Sequence, residues 1–168
     1  MARLKGVFQE VMELISANTS IDYVRVWNDQ LASMEKGDMY TFPNLACFVE
    51  IDLPKESLGL GYVGGDITLR FHIVHVELDA MDGTMEQNLT VFGYRDELIG
   101  LLMYKELDGC SGLQFVSERP DYNHTNVYHY ILEFNCSFID DAGDRTKSQI
   151  IKQPVTNLQV NATIVTTI

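Results

Sequence analysis

Apolar and polar positions between Gly65 and Asp140 alternate in two long stretches, with an acidic helical stretch between them. In DITLRFHIVHVELD, residues Ile67, Leu69, Phe71 and Ile73 share a face; in TNVYHYILEFNCSFID, residues Tyr128, Tyr130, Leu132, Phe134, Cys136 and Phe138 do. A period of two sustained this long predicts strands with one buried face and one meeting something more polar. Residues 3–17 instead place Leu4, Phe8, Val11 and Ile15, with Met12 beside them, at helical spacing. They predict an amphipathic helix that ends at Asn18, Thr19 and Ser20. Asp22 to Trp27 reads as a short strand, and the mixed polar run from Asn28 to Phe42 reads as a long loop. Pro43 introduces the strand NLACFVEIDL, with Leu45, Cys47, Val49, Ile51 and Leu53 on one side, and Pro54 stops it.

Residues 54–65, PKESLGLGYVGG, form a glycine-rich excursion between two strands. Gly59, Gly61 and Gly64 spell GxGxxG, but the next element is a strand, so no helix amino terminus is available to meet a pyrophosphate. The segment is better read as a long, mobile hairpin, and Gly59, Leu60, Gly61 and Tyr62 are its candidate contact residues. A second helix is predicted over residues 89–107, capped by Asn88 or Thr90, with Phe92, Ile99, Leu102 and Met103 apolar and Asp96 and Glu97 in its early turns. LQFVSE is a short strand, and Arg119-Pro120-Asp121 turns the chain into the long final strand, antiparallel to it. Asp140 to Asp144 is a turn.

These elements predict an α+β fold: a mostly antiparallel mixed sheet of four to six strands with two helices packed on one face, in a single domain over residues 1–146. Residues 147–168 differ in character. Only Lys147 and Lys152 are charged there, and Leu158, Val160, Ala162, Ile164, Thr166 and Ile168 alternate. This carboxy-terminal strand or arm either closes the protein's own sheet or adds to a neighbour's edge, with Leu158, Val160 and Ile164 as candidate contacts.

At 168 residues with 46% hydrophobic and 10% aromatic content, the chain is long and apolar enough for one well-buried core. No apolar run approaches the roughly 20 residues needed to cross a bilayer, and MARLKGVFQEVMELI lacks the features of a signal peptide. The chain is therefore expected to be soluble and made in a cytoplasm, and its Asn-x-Ser/Thr triplets carry no weight. Cys47, Cys110 and Cys136 form no CxxC pair and are expected to stay reduced. The net charge of −12, from 24 acidic and 12 basic residues, argues against a surface that grips phosphates. It is compatible with a channel that repels DNA and so lets it pass, and equally with plain solubility.

No constellation of an enzyme is legible, and no cofactor or metal is expected. His72 and His75 lie three apart on a strand and point to opposite faces, and His124 and His129 have the same odd spacing, although His124 sits in a turn. An imidazole pair across strands is open, but structural histidines are the expectation. Glu50 and Asp52 share the face opposite Val49 and Ile51, as a solvated face or an acidic lining.

The order helix, strand, PNLACFVEIDL, loop, DITLRFHIVHVEL, acidic helix YRDELIGLLMYKEL and final strands ending YHYILEFNCSFID resembles the tail terminator (tail completion, tail-to-head joining) proteins of tailed bacteriophages. The resemblance spans roughly residues 1–140 and lies in element order rather than in an invariant signature. It implies a structural virion protein assembled in the bacterial cytoplasm: a homohexameric ring that caps the tail tube. The ring would contact the tube protein on one side and the head-completion or connector protein on the other, with DNA passing through its lumen. Two other readings stay open: another neck or tail component, such as a head-completion stopper or a tube protein, and an unrelated ligand-binding α+β domain around Trp27, Tyr128 and Tyr130.

Overall fold

A computed structural model describes residues 3–36, 42–53, 56–59, 62–75, 85–124 and 127–140. Helix α1 spans Arg3–Asn18, strand β1 Val24–Val26, helix α2 Gln30–Glu35, β2 Leu45–Asp52, β3 Glu56–Gly59, β4 Tyr62–His75, helix α3 Met85–Leu102, β5 Gln114–Asp121 and β6 Tyr128–Asp140. The strands form one six-stranded sheet in the order β1-β2-β4-β6-β5, with β3 pairing the start of β4. Among the described residues only the β1–β2 pair is parallel; the others are antiparallel. The α+β fold with a mostly antiparallel mixed sheet is thus the observed architecture.

The sheet's first face carries the main core. Val7, Val11 and Ile15 of α1, spaced four apart, and Val91, Leu98 and Leu102 of α3 bury against Cys47 and Val49 of β2, Ile67, Leu69, Phe71 and Ile73 of β4, and Leu132 and Phe134 of β6. The carboxy-terminal end of α1 is tied by side chains. Asn18 Nδ2 and Thr19 Oγ1 donate to the Leu14 and Ile15 carbonyls of the last turn of α1. Ser20 donates from its N–H and hydroxyl to the two oxygens of Glu97, at 2.7 and 3.0 Å, which fastens α1 to α3.

Four expectations need correction. Helix α3 begins at Met85 and ends at Leu102, so Asn88 and Thr90 lie within it and Asp96 and Glu97 occupy later turns. Those carboxylates serve partners rather than the helix dipole: Glu97 holds Ser20, and Asp96 accepts from Arg95. Phe92 is exposed, because the buried stripe runs through Val91 and Leu98 instead. The run 28–42 contains α2, whose six residues are too few to show a helical period. It is set up by Asp29 at φ 52° and by Gln30, which accepts from Asn28 N–H and donates to the Val26 carbonyl. Its Leu31 packs on the sheet's second face with Ala46, Phe48, Val74 and Val127, so helices cover both faces. Finally, Arg119, Pro120 and Asp121 continue β5 rather than turning. A proline fits there because β5 is an edge strand and need not donate on its free side.

Asp140, where a turn was expected to begin, belongs to β6; the rest of that turn, residues 141–144, the domain boundary at 146 and the segment 147–168 lie outside the described residues.

Candidate functional site

The glycine-rich excursion is a strand hairpin. β3 pairs antiparallel with β4, whose first residue is Tyr62, four positions earlier than the alternation indicated. Of the candidate contact residues, Gly59 ends β3 at φ 85° and Tyr62 faces it across the pair. Leu60, Gly61, Leu158, Val160 and Ile164 lie outside the described residues. Leu58, which the sequence did not single out, is 54% exposed and lies over Gly64, beside the exposed Ile139 of β6. The pair makes an apolar patch at this end of the sheet's second face.

Gly59 and Gly64 have different jobs. A Cβ at Gly59 would meet nothing within 4 Å, so its role is the positive φ alone; at Gly64 it would sit 2.7 Å from the Phe138 carbonyl oxygen. Gly59→Ala is expected to cost about 1–2 kcal/mol through backbone conformation. Gly64→Ala is expected to cost about 2 kcal/mol by prising β3 or β6 away. Urea denaturation of the two variants checks both.

From the hairpin the second face becomes polar in register. Thr68 donates to Asn135 Oδ1 at 2.9 Å, and Ser137 donates to Asp66 Oδ1 at 2.7 Å. On the next rung Glu50, Arg70 and Glu133 lie side by side across β2, β4 and β6. Arg70 donates from Nε to Glu133 at 3.1 Å and reaches Glu50 at 3.3 Å and Asp52 at 3.6 Å. Among the described residues, four carboxylates, at positions 50, 52, 66 and 133, thus share this stretch with one guanidinium, and this surface is acidic. An open polar depression of about 210 Å³ lies beside it, lined by Asp66, Ser111, Gln114, Asn135, Cys136 and Ser137. It is smaller than the roughly 300–1,000 Å³ in which small organic ligands are usually held.

Beyond Arg70 the face closes over a chain of titratable groups. Glu50 Oε2 lies 3.2 Å from His72 Nε2, and His72 Nδ1 lies 2.9 Å from His129 Nε2. His129 Nδ1 lies 3.3 Å from Asp121 Oδ2, outside hydrogen-bond alignment, and His124 Nε2 lies 3.8 Å from the same oxygen. Trp27 stacks flat on His72, with ring centroids 4.0 Å apart, and roofs the pair. Burial pushes His129 down to about 4, with His72 adding to the effect, and burial lowers His72 against the pull of the Glu50 carboxylate. Both imidazoles are therefore neutral at pH 7. Burial raises Asp121, but the Asn123 N–H and the facing imidazoles outweigh it and hold the carboxyl below its ordinary value.

This arrangement revises the reading of the histidines. His72 and His75 do point apart, His75 stacking on Tyr94 of α3. His124 and His129, by contrast, converge on Asp121, because the parity rule holds only within a strand and the turn after β5 folds His124 back. The aromatic pocket does not form: Trp27 lies on the second face, whereas Tyr128 and Tyr130 stack on each other against the core of the first. Cys47, Cys110 and Cys136 are all free, and burial pushes the Cys47 thiol up to about 12.

Among the described residues no helix is long and apolar enough to cross a membrane. Comparison with protein-family models and with curated proteins finds no match to this chain.

Proposed function

We propose that this chain is a structural assembly protein of a tailed phage: a tail terminator that forms a ring on the tail tube and joins it to the head-completion protein, with DNA passing through without specific binding. The observation that carries the reading is the hairpin end of the second face, where Leu58 and Ile139 are exposed next to an acidic stretch. Such a patch is suited to a protein partner, and acidic surface nearby is suited to facing DNA without holding it. The element order read from the sequence, which resembles that of tail terminators, supports this choice of assembly.

The sheet edges direct the contact away from simple strand addition. β1 has three residues, and β5 carries a bulge at Val116, a proline and the charged Glu118, Arg119 and Asp121, devices that discourage edge pairing. In this reading the subunits meet through the hairpin and side-chain surfaces, and the segment 147–168 supplies any added strand.

Light scattering behind size exclusion, over a concentration series, tests the proposal. A discrete ring near six times 19.1 kDa, or a monomer that forms rings on added tail tubes, is the expected result. Leu58→Ser should abolish ring formation while costing the fold no more than about 0.5 kcal/mol, since the side chain is exposed. Removal of residues 147–168 should weaken it. Open-ended tubes would reassign the chain to the tube itself, and a monomer indifferent to tubes would overturn the assembly reading.

A further inference from the structure

From the turn after β5 and the start of β6, we infer a divalent transition-metal site of the zinc class, formed by Asp121 Oδ2, His124 Nε2 and His129 Nδ1. It is independent of the proposed assembly role. The three ligand atoms lie within 4.8 Å of one another. Zinc bonds of about 2.0–2.1 Å at tetrahedral angles separate ligand atoms by about 3.3–3.4 Å. Asp121 Oδ2 and His129 Nδ1 already stand 3.3 Å apart, and His124 Nε2, 3.8 Å from that oxygen and within 4.8 Å of His129 Nδ1, has to close on both.

Two further observations point to a cation. His129 is 2% exposed, yet its Nδ1 has no hydrogen-bond partner. A buried polar atom left so is costly in a native protein and calls for an occupant. The other side of the same ring is supplied as metal-bound imidazoles usually are. With Nδ1 given to a metal, His129 Nε2–H donates to His72 Nδ1 at 2.9 Å, and His72 Nε2–H donates to Glu50 at 3.2 Å. Each proton in this chain then has one donor and one acceptor, and the tautomer of both rings is fixed. Asp121 is likewise prepared: Asn123 occupies Oδ1 with its N–H at 3.1 Å and its amide at 2.6 Å, leaving Oδ2 to the two imidazoles. Two nitrogens and one carboxylate oxygen suit zinc, cobalt or nickel better than magnesium or calcium, which prefer all-oxygen shells. With three protein ligands, the fourth position falls to water or to a group from a docked partner.

The test is titration of the full-length, tag-free protein with zinc chloride and with cobalt(II) chloride, followed by calorimetry, cobalt absorption and thermal melting. The expected result is one ion per chain, a cobalt spectrum of low coordination number, and a raised melting temperature, with no response to magnesium or calcium. His124→Ala, in a turn, and Asp121→Asn, which keeps the shape of the Asn123 contact, should each weaken zinc at least tenfold with unchanged circular dichroism. Absence of saturable zinc binding would overturn the site. So would equal affinity in the wild type and in His124→Ala, which would place the ion on the cysteines or the amino terminus.

Discussion

Phe71→Ala is expected to cost the fold about 3–5 kcal/mol, the largest loss of any single substitution considered. Phe71 is fully buried at the centre of β4, with its ring edge-on to Phe134 at 5.6 Å, and Phe134 in turn meets Phe115 edge-on at 5.6 Å. Alanine removes the ring at one end of this aromatic row, between the two helices and the sheet. β4 is held on both sides by β2 and β6 over most of its length, so it cannot collapse into the gap. A domain stabilised by about 5–15 kcal/mol would lose a large share of its margin. Urea denaturation should show a lower midpoint at unchanged slope. A loss under about 2 kcal/mol would mean that α1 or α3 moves in to fill the space.

Arg70→Met should follow, with a loss of about 2–3 kcal/mol. Methionine keeps the apolar stem but leaves Glu50 and Glu133 flanking a position with no cation. Removing one partner from a buried ion pair typically costs about 3–5 kcal/mol. Arg70 keeps 24% of its side-chain surface exposed, so solvent screening moderates the effect. Adding Glu133→Gln to Arg70→Met should restore part of the loss, since it removes one of the two facing charges. If the double variant is as unstable as the sum of the singles, the rung is not an electrostatic unit.

The long elements were legible because one period governs them from end to end: β4 and β6 bury the face that the residue pattern names, and α1 buries Val11 and Ile15 of its named face, with the unnamed Val7 completing the stripe while Leu4 and Phe8 are only half-buried. What the pattern could not show was set by position in space. The alternate residues of β2, β4 and β6 read as a face meeting something more polar, yet Phe48, His72, Val74 and His129 are buried because α2 and Trp27 cover that half. α2 itself was hidden by its length, and the extension of β5 by a proline that only an edge strand tolerates. The convergence of His124 on His129 and Asp121 depends on a turn whose geometry no spacing rule encodes. Of the proposed contact surface, the hairpin was visible as glycine and Tyr62. Leu58 was not, because one leucine in a loop-like run carries no pattern.

The ladder between β4 and β6 also has a consequence for the order of events at the ribosome. Its partners are between 53 residues apart (His75 with Tyr128) and 77 apart (Val63 with Asp140). Pairing so remote in sequence makes folding slow, because loop closure comes before the contacts that reward it. At about 5–20 residues per second, β4 waits several seconds after its own synthesis before β6 is complete. Throughout that interval β2 and β3 can guard one side of the strand, and the other presents unpaired backbone beside Leu69, Phe71 and Ile73. The nascent chain is most open to mispairing with its copies in that window, and holding it soluble until Asp140 emerges is a demand that this topology places on the cell.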